Sequence, residues 1–367
     1  MKIVFLIIMI VHGLIHTMGF VKAFDIADVK ELTSSISRPF GIGWLIAAVL
    51  FMVSVLIFTM NKSWWGFIAI PAVILSQILI IYFWSDAKFG TIPNLIILVV
   101  AIVSIGLFLM QNRFQTIVNE DLENNNEFAT DILTEKDIEH LPLAVQNYLH
   151  YTKSVGQPKI KNFRAKFTGG MRSNENEPYM LFDSIQYNFY QNPSRYFYMT
   201  ASKMGLPATG LHIYENANAT FEVKLLNWIP VVDAKGDKMT KGETVTVFND
   251  MCFIAPATLI DKNIEWEEVE DLIVNATYTN GNTSISATLY FNEKGEMINF
   301  VSNDRYHTDG KTYESFPWET PISEYKELNG YILPAKAELI YQKPAGNFVY
   351  GELEFVDVKY NLLKFDW

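Results

Sequence analysis

The sequence has almost no cysteine. Cys252 is the single one in 367 residues. An intrachain disulfide and a cysteine-based metal cage are therefore both excluded. Cys252 lies in an apolar segment, Met251–Ala255, so we interpret it as a small buried hydrophobic residue and not as a nucleophile.

Positive charge is scarce in the second part of the chain. The sequence has 29 Lys and Arg against 40 Asp and Glu. The first 110 residues hold six of the basic and four of the acidic residues. The remainder therefore carries 23 basic against 36 acidic residues. Nucleic-acid binding requires a basic face, and attachment to anionic lipid requires a basic stripe. We therefore expect that this part neither binds nucleic acid nor attaches to anionic lipid by charge.

The common catalytic signatures are also missing. The sequence has no Gly-x-Ser-x-Gly, no phosphate-binding Gly-rich loop with Lys, and no His-Glu-x-x-His. The four histidines after residue 110 lack a metal-ligand spacing; they are His140, His150, His212 and His307. We therefore expect no metal and no cofactor, and the sequence leaves open whether the protein is an enzyme.

Long apolar runs dominate the first 110 residues. There are four of them, Ile3–Phe20, Gly41–Met60, Trp64–Trp84 and Thr91–Met110. A helix needs about 20 apolar residues to cross a bilayer. The pattern predicts a four-helix anchor over residues 1–110, and hence a multi-pass integral protein of a bacterial cell membrane with membrane lipids as partners.

The basic residues around these runs give a weak indication of orientation. Four spans place the N-terminus and the remainder of the chain on one side of the membrane. That side carries three basic residues, Lys2, Lys62 and Arg113, and the other side carries four. Because cytoplasmic loops are enriched in Lys and Arg, the soluble part is expected outside the cytoplasm.

The chain after residue 110 predicts a polar linker and then a β-rich domain. Residues 111–157 are expected to form the linker with short helices, including a capping box at Thr134–Asp137. Residues 158–367 show period-two alternation interrupted by turn signals such as Asn329-Gly330, while Gly242–Leu259 fits a helix. The fold class is therefore α+β, with a large, curved, half-barrel-like antiparallel sheet and a few helices.

The predicted sheet is rich in aromatic residues. They are Phe182, Tyr187, Phe189, Tyr190, Tyr196, Phe197 and Tyr198. Such rings either fill a two-layer core or line a hollow for a lipid or another apolar small molecule.

Two histidines inside the first apolar run are candidate functional residues. His12 and His16 are four residues apart, so a helix places both imidazoles on one face. Ionisable groups inside a span are costly, and they could share a metal, relay a proton or contact a cofactor. The structural alternative is a pair of neutral rings bonded to Ser54, Ser76, Gln77 or Asn94.

Two polar groups in the soluble part are further candidates. Asp304, Arg305 and His307 belong to the densest polar segment, and an Arg beside a carboxylate can bind a phosphate or form a structural salt bridge. Asn249 and Asp250 lie near the end of the predicted helix, where they could cap it or, for Asp250, act as a general base.

Several phrases of the sequence resemble an uncharacterised family of bacterial membrane proteins. They are His12–His16 with Met18–Phe24, Phe248–Met251, Ala255–Asp261, Phe291–Glu293, Asp304–Tyr306 and Trp318–Pro321 with Gly330 and Pro334. The resemblance implies a domain of unknown function and no catalytic residues. The Asn-Gly hairpin with a later Pro is also similar to the lipoprotein-carrier class, whose half-barrels hold acyl chains.

Three functions are compatible with these features. The first is a membrane-anchored module that binds a lipid or another hydrophobic ligand beside the bilayer. The second is a membrane-bound enzyme that uses His12 and His16, or Asp304, Arg305 and His307. The third is a structural or sensory protein that contacts another envelope protein.

Overall fold

The computed structural model describes residues 2–124, 131–308 and 312–367. Part of the predicted linker, residues 125–130, lies outside the described residues. The chain divides into two compact units. Unit 1 comprises residues 1–112 and 226–228, and unit 2 comprises residues 113–225 and 229–367.

Unit 1 is helical. Its helices are α1 (Lys2–Ile15), α2 (Thr17–Ala23), α3 (Arg38–Thr59), α4 (Gly66–Tyr82), α5 (Trp84–Ala87) and the first part of α6 (Thr91–Asn124). Within the described residues, four helical segments are long and apolar enough to span a membrane. They are Lys2–Ala23, Arg38–Thr59, Ser63–Tyr82 and Trp84–Asn124. The four predicted spans are thus confirmed by length and composition.

Glycine allows close approach of the helices in unit 1. Helix α3 packs against α1, α2 and α4. A Cβ atom at Gly19 would lie 2.3 Å from the Trp44 ring, so only glycine fits there. Small residues of this kind are typical of helix contacts in membranes, where packing replaces the hydrophobic drive. Residues 226–228 belong to the same unit, and Trp228 Nε1 donates a hydrogen bond to the Ile102 carbonyl.

In its described residues, unit 2 contains one large sheet, a small ribbon, the last part of α6 and three further α-helices. The strands are β1 (Asn162–Met171), β2 (Met180–Phe189), β3 (Ser194–Lys203), β4 (Leu206–Glu215), β5 (Asn218–Leu225), β6 (Ile229–Lys235), β7 (Ile264–Glu270), β8 (Ile273–Asn280), β9 (Thr283–Phe291), β10 (Met297–Ser302), β11 (Tyr306–Thr308), β12 (Tyr313–Ser315), β13 (Trp318–Glu319), β14 (Ile322–Leu328), β15 (Tyr331–Lys343) and β16 (Gly346–Tyr360). The helices are α7 (Glu135–Ile138), α8 (Leu143–Tyr151) and α9 (Asp237–Phe253).

The large sheet is antiparallel and open. Fourteen strands of the described chain form it, in the order β6-β5-β4-β3-β2-β1-β16-β15-β13-β10-β9-β8-β7, with β14 paired to β15. Strands β11 and β12 form the separate ribbon. The α+β fold class predicted from the sequence is therefore confirmed, and the sheet does not close into a barrel.

Helices α8 and α9 pack on the sheet, and their buried residues belong to its hydrophobic core. Phe248 of α9 is fully buried, and its ring stacks on that of Tyr278 with centroids 5.5 Å apart. Tyr148 of α8 donates a hydrogen bond of 2.7 Å to the Cys252 carbonyl. Burial in this core raises the pKa of the Cys252 thiol well above its usual value. Cys252 is thus a buried hydrophobic residue, as the sequence indicates.

Candidate functional site

The two histidines of the first span lie at the centre of a polar network in unit 1. His12 is on α1 and His16 follows its last residue, one helical turn further. Both side chains are buried, and their ring centroids are 4.7 Å apart. Ser76 of α4 and Asn94 of α6 complete the network.

With neutral rings, each hydrogen bond of this network has an assignable donor and acceptor. The Asn94 amide oxygen can only accept, so His12 Nε2 donates to it over 2.8 Å. Asn94 Nδ2 donates to Ser76 Oγ over 2.9 Å. His16 Nδ1 donates to the His12 carbonyl over 2.8 Å, so its Nε2 accepts from the Ser76 hydroxyl.

This arrangement joins three helices through side-chain hydrogen bonds. Asn94 Nδ2 also donates to Gln77 Oε1 over 3.1 Å, whereas Ser54 donates to a carbonyl of its own helix. Among the described residues, no group of three His, Cys, Asp or Glu could hold a metal ion. The geometry corresponds to the structural alternative, in which the rings bond to Ser76 and Asn94.

A second polar group lies inside unit 2, where Arg195 of β3 joins two carboxylates of α9. Arg195 Nη1 is 2.6 Å from Glu243 Oε1, and Arg195 Nε is 2.8 Å from Asp250 Oδ2. Gln186 and Asn188 of β2 donate to the same Asp250 oxygen over 2.8 and 2.9 Å. Asp250 is therefore fixed by three donors, which favours a structural role over that of a general base.

The other side of Glu243 faces two further groups. His212 Nε2 of β4 is 3.0 Å from Glu243 Oε2, and Arg305 Nη1 is 3.9 Å from the same oxygen. Arg305 also donates to the Gly242 carbonyl over 2.9 Å, and its guanidinium lies 4.7 Å from the centre of the Trp318 ring. We call Arg195, Glu243, Asp250, His212 and Arg305 the buried ionic cluster.

Burial sets the protonation of this cluster. Desolvation, reinforced by the positive charges of Arg195 and Arg305, lowers the pKa of His212 well below its usual range. The ring is therefore neutral near pH 7. Burial also raises the pKa of Asp250, while Arg195 and Asn188 act in the opposite direction.

The structure separates the three residues Asp304, Arg305 and His307. Arg305 enters the buried ionic cluster. Asp304 pairs with Lys241 over 2.7 Å and accepts the Ser286 amide hydrogen. The His307 ring lies 5.1 Å from that of Tyr341, in an aromatic group. The three side chains therefore do not form one phosphate-binding site.

Asn249 is likewise a structural contact, since its Nδ2 donates to Thr320 Oγ1 over 2.8 Å. Sequence reasoning found Asp250 and Arg305 but missed Arg195, Glu243 and His212. Glu243 and Asp250 are seven residues apart, which is two helical turns. This spacing places both carboxylates on one face of α9 and could have predicted that they lie close together.

An open cavity of about 1090 Å³ occupies another part of unit 2. Residues of β1, β2, β3, β14, β15 and β16 line it, and none of the buried ionic cluster is among these described residues. The apolar part of the lining is Tyr179, Leu181, Phe182, Ala201, Pro321, Ile322, Ala337 and Leu353. Ligand sites commonly measure about 300–1000 Å³, so the cavity is large enough for a small molecule.

Strand register aligns six lining residues into one apolar row. Direct pairing joins Ala201 to Phe182, Phe182 to Gly169, and Gly169 to Leu353. Leu353 pairs with Ala337, and Ala337 with Ile322. Adjacent strands are about 4.8 Å apart, so the row is about 24 Å long.

Glycine is required in the middle of this row. A Cβ atom at Gly169 would lie 2.3 Å from the Glu352 carbonyl oxygen and 3.0 Å from Phe182. The missing side chain thus lets β1 and β16 approach while Phe182 and Leu353 lie over the backbone. The row is continuous across six strands, with Phe182 buried and its other members half-buried.

Most aromatic residues of the predicted hollow belong to the core. Tyr187, Phe189, Tyr196, Phe197 and Tyr198 are all buried, and the cavity lining contains only Phe182 of the described aromatic set. Tyr196 donates to Asp121 over 2.9 Å, and Tyr198 stacks on Phe114, so the end of α6 covers this part of the sheet. The aromatic density therefore indicates packing, not the cavity.

Comparison with known proteins adds a family but no activity. A search of curated proteins finds no match. The family model described as a family of unknown function, DUF6544, matches residues 131–353. The match spans more than half of the chain and confirms the predicted family of unknown function, while a bacterial source stays a prediction. The chain belongs to the DUF6544 family.

Proposed function

We propose that this protein is a membrane-anchored binding module that holds a lipid or a similar apolar ligand in the cavity of unit 2. The observation that carries the proposal is the apolar row that lines an open cavity of about 1090 Å³. Ala201, Ile322, Ala337 and Leu353 of the row are half-buried, so part of their apolar surface is accessible to a ligand. The helices of unit 1 would keep the module beside its source of ligand.

The cavity is a better candidate than the two polar groups. The network of His12 and His16 is closed by hydrogen bonds, and the buried ionic cluster pairs its charges inside the core. Neither geometry leaves nucleophile, base and substrate space together. The soluble part remains proposed to face away from the cytoplasm.

Native mass spectrometry of the full-length chain released from detergent tests the proposal. We expect the wild-type protein to carry a lipid adduct. Ala337→Trp should reduce the adduct, because the indole fills the cavity. Ala234→Trp, at a half-buried strand position away from the lining, is the matched control and should retain it.

An unliganded wild-type mass in several mild detergents would refute the binding function. So would equal adduct in the Ala337→Trp and wild-type proteins, provided that both have the same thermal unfolding midpoint. If Ala337→Trp does not fold, Ala337→Leu replaces it with a smaller obstruction.

A further inference from the structure

Two neighbouring turns of the large sheet carry exposed apolar side chains. Met204 lies in the β3–β4 turn and Leu206 follows it, and they are 94% and 44% exposed. Ile229 and Val231, at the start of the edge strand β6, are 52% and 55% exposed. Strand β4 leaves the first turn, its antiparallel neighbour β5 enters the second, and both turns therefore lie at one end of the sheet. We call these four residues the apolar turn surface.

Met204 occupies a backbone position that does not favour methionine. Its φ is 54° and that of Gly205 is 80°, so both residues of this two-residue turn are left-handed. Such turns usually begin with Asn, Asp or Gly, because other side chains are strained there. The turn at the other end of β4 begins with Asn216 and follows the rule. Packing does not explain the choice of methionine, since its side chain is almost fully exposed.

The β5–β6 turn is bonded to a helix that is suited to span a membrane. Residues 226–228, which form the turn, belong to unit 1. Trp228 Nε1 donates to the Ile102 carbonyl over 2.6 Å, and Asn227 Nδ2 donates to the Val103 carbonyl over 3.0 Å. Ile102 and Val103 lie within the candidate span Trp84–Asn124.

The level of these bonds along the helix is that of a boundary between candidate spans. Ser104 Oγ donates over 2.7 Å to the carbonyl of Ser63, in the connection between α3 and α4. This connection joins two candidate spans, so it marks one edge of the apolar segments. Ile102 is two residues from Ser104, about 3 Å along the helix axis. Trp228 is therefore held near this edge, where tryptophan is enriched in membrane proteins.

The chain keeps the start of β6 close to this edge. Ile229 follows Trp228 directly, and Val231 is three residues from it, at most about 10 Å along a strand. The interfacial layer on each side of a bilayer is about 5–7 Å thick. The acidic composition after residue 110 excludes attachment by charge, but insertion of apolar side chains needs no basic residues.

We propose that the apolar turn surface inserts into the interfacial layer of the bilayer that the helices of unit 1 are suited to span. Its partner is the lipid at the boundary between head groups and acyl chains. The sheet thus has a membrane contact of its own, in addition to the helical anchor. This contact does not depend on a ligand in the cavity.

Quenching by brominated lipid tests the proposal in the full-length protein. Met204→Cys is labelled with a bimane fluorophore and placed in nanodiscs whose lipids carry bromine on their acyl chains. Cys252 is fully buried, so the thiol reagent labels the introduced cysteine. Asn216→Cys is the matched control, because it occupies the same turn position at the other end of β4, about 33 Å away.

We expect brominated lipid to quench the label at position 204 and iodide in the buffer to quench the label at position 216. A label at Ile229→Cys should behave like that at position 204. All variants are compared at equal thermal unfolding midpoints, and Leu206→Cys replaces Met204→Cys if the latter does not fold.

No quenching by brominated lipid at position 204, or equal quenching at positions 204 and 216, would overturn the proposal. Shielding of position 204 from iodide without quenching by lipid would overturn it too, because a protein and not the bilayer would then cover the turn. Each of these results leaves the binding function of the cavity intact, since that function is tested by the lipid adduct.

Discussion

Glu338 and Glu352 lie directly opposite each other on β15 and β16, both in the lining of the cavity. Replacing one of two opposed carboxylates should stabilise the empty protein. We predict that Glu338→Gln raises the free energy of unfolding by about 0.2–1 kcal/mol. Thermal unfolding at low ionic strength measures the effect, and added salt should reduce it. An unfolding midpoint below that of the wild type would contradict this account of the pair.

The buried ionic cluster should be costly to break. Arg195→Met would leave Glu243 and Asp250 buried without their main partner. We predict a loss of about 3–5 kcal/mol in the free energy of unfolding. Lys153→Met breaks the exposed pair with Glu327 and should cost about 0–1 kcal/mol. Denaturant titration compares the two, and equal losses would show that the cluster is not the stabilising core element described here.

Stability should decrease on acidification because of His212. Its pKa is lowered in the folded state, so below about pH 6.5 the unfolded chain binds the proton that the folded chain resists. This contribution is complete above pH 6.5 and decreases by up to about 1.4 kcal/mol per unit as the pH falls below that value. Unfolding midpoints between pH 7 and pH 5 measure it, with His212→Asn as the comparison. A wild-type midpoint as constant with pH as that of His212→Asn would contradict the prediction.

The polar network of unit 1 around His12 and His16 should support packing and not ligand binding. His16→Leu removes the acceptor of the Ser76 hydroxyl and should destabilise the helices of unit 1 by about 0.6–2 kcal/mol. The lipid adduct of the full-length protein should persist in this variant. Loss of the adduct without loss of helix stability would instead place His16 in the functional site.

The sequence was sufficient to predict elements with strong local patterns. The four apolar runs, the helix near Phe248 and the strands with clear alternation are all present. The capping box also forms: the Thr134 side chain accepts from the Asp137 backbone N–H, and the Asp137 carboxylate accepts from the Thr134 backbone N–H. In each case, local composition and tertiary environment favour the same structure.

The sequence patterns did not assign strands β4 to β7 individually, and β4 and β7 show the reasons. Pro207 and Gly210 interrupt the alternation of β4, which is held by its neighbours β3 and β5. Strand β7 is an edge strand with four glutamates, so its composition is that of an exposed loop. Edge strands often carry such charge because it discourages aggregation.

The candidate site was less predictable than the fold. Arg195 and Asp250 are 55 residues apart, and only tertiary packing brings them together. The apolar row of the cavity takes one residue from each of six strands, so it depends on strand register and cannot be predicted from any one segment. His12 and Asp304 are recognisable as candidates from residue type alone, whereas Ala337 and Gly169 are not.

Crosslinking inside native membranes tests the central claim most directly. A photoreactive benzoyl-phenylalanine replaces Leu181, which lines the cavity and is 72% exposed. The same group at Leu143, which is 65% exposed and lies on α8 outside the lining, is the control. After irradiation, mass spectrometry should detect a lipid adduct on the peptide that contains position 181 and not at position 143. No adduct at 181, or equal adducts at both positions, would contradict a ligand-binding cavity.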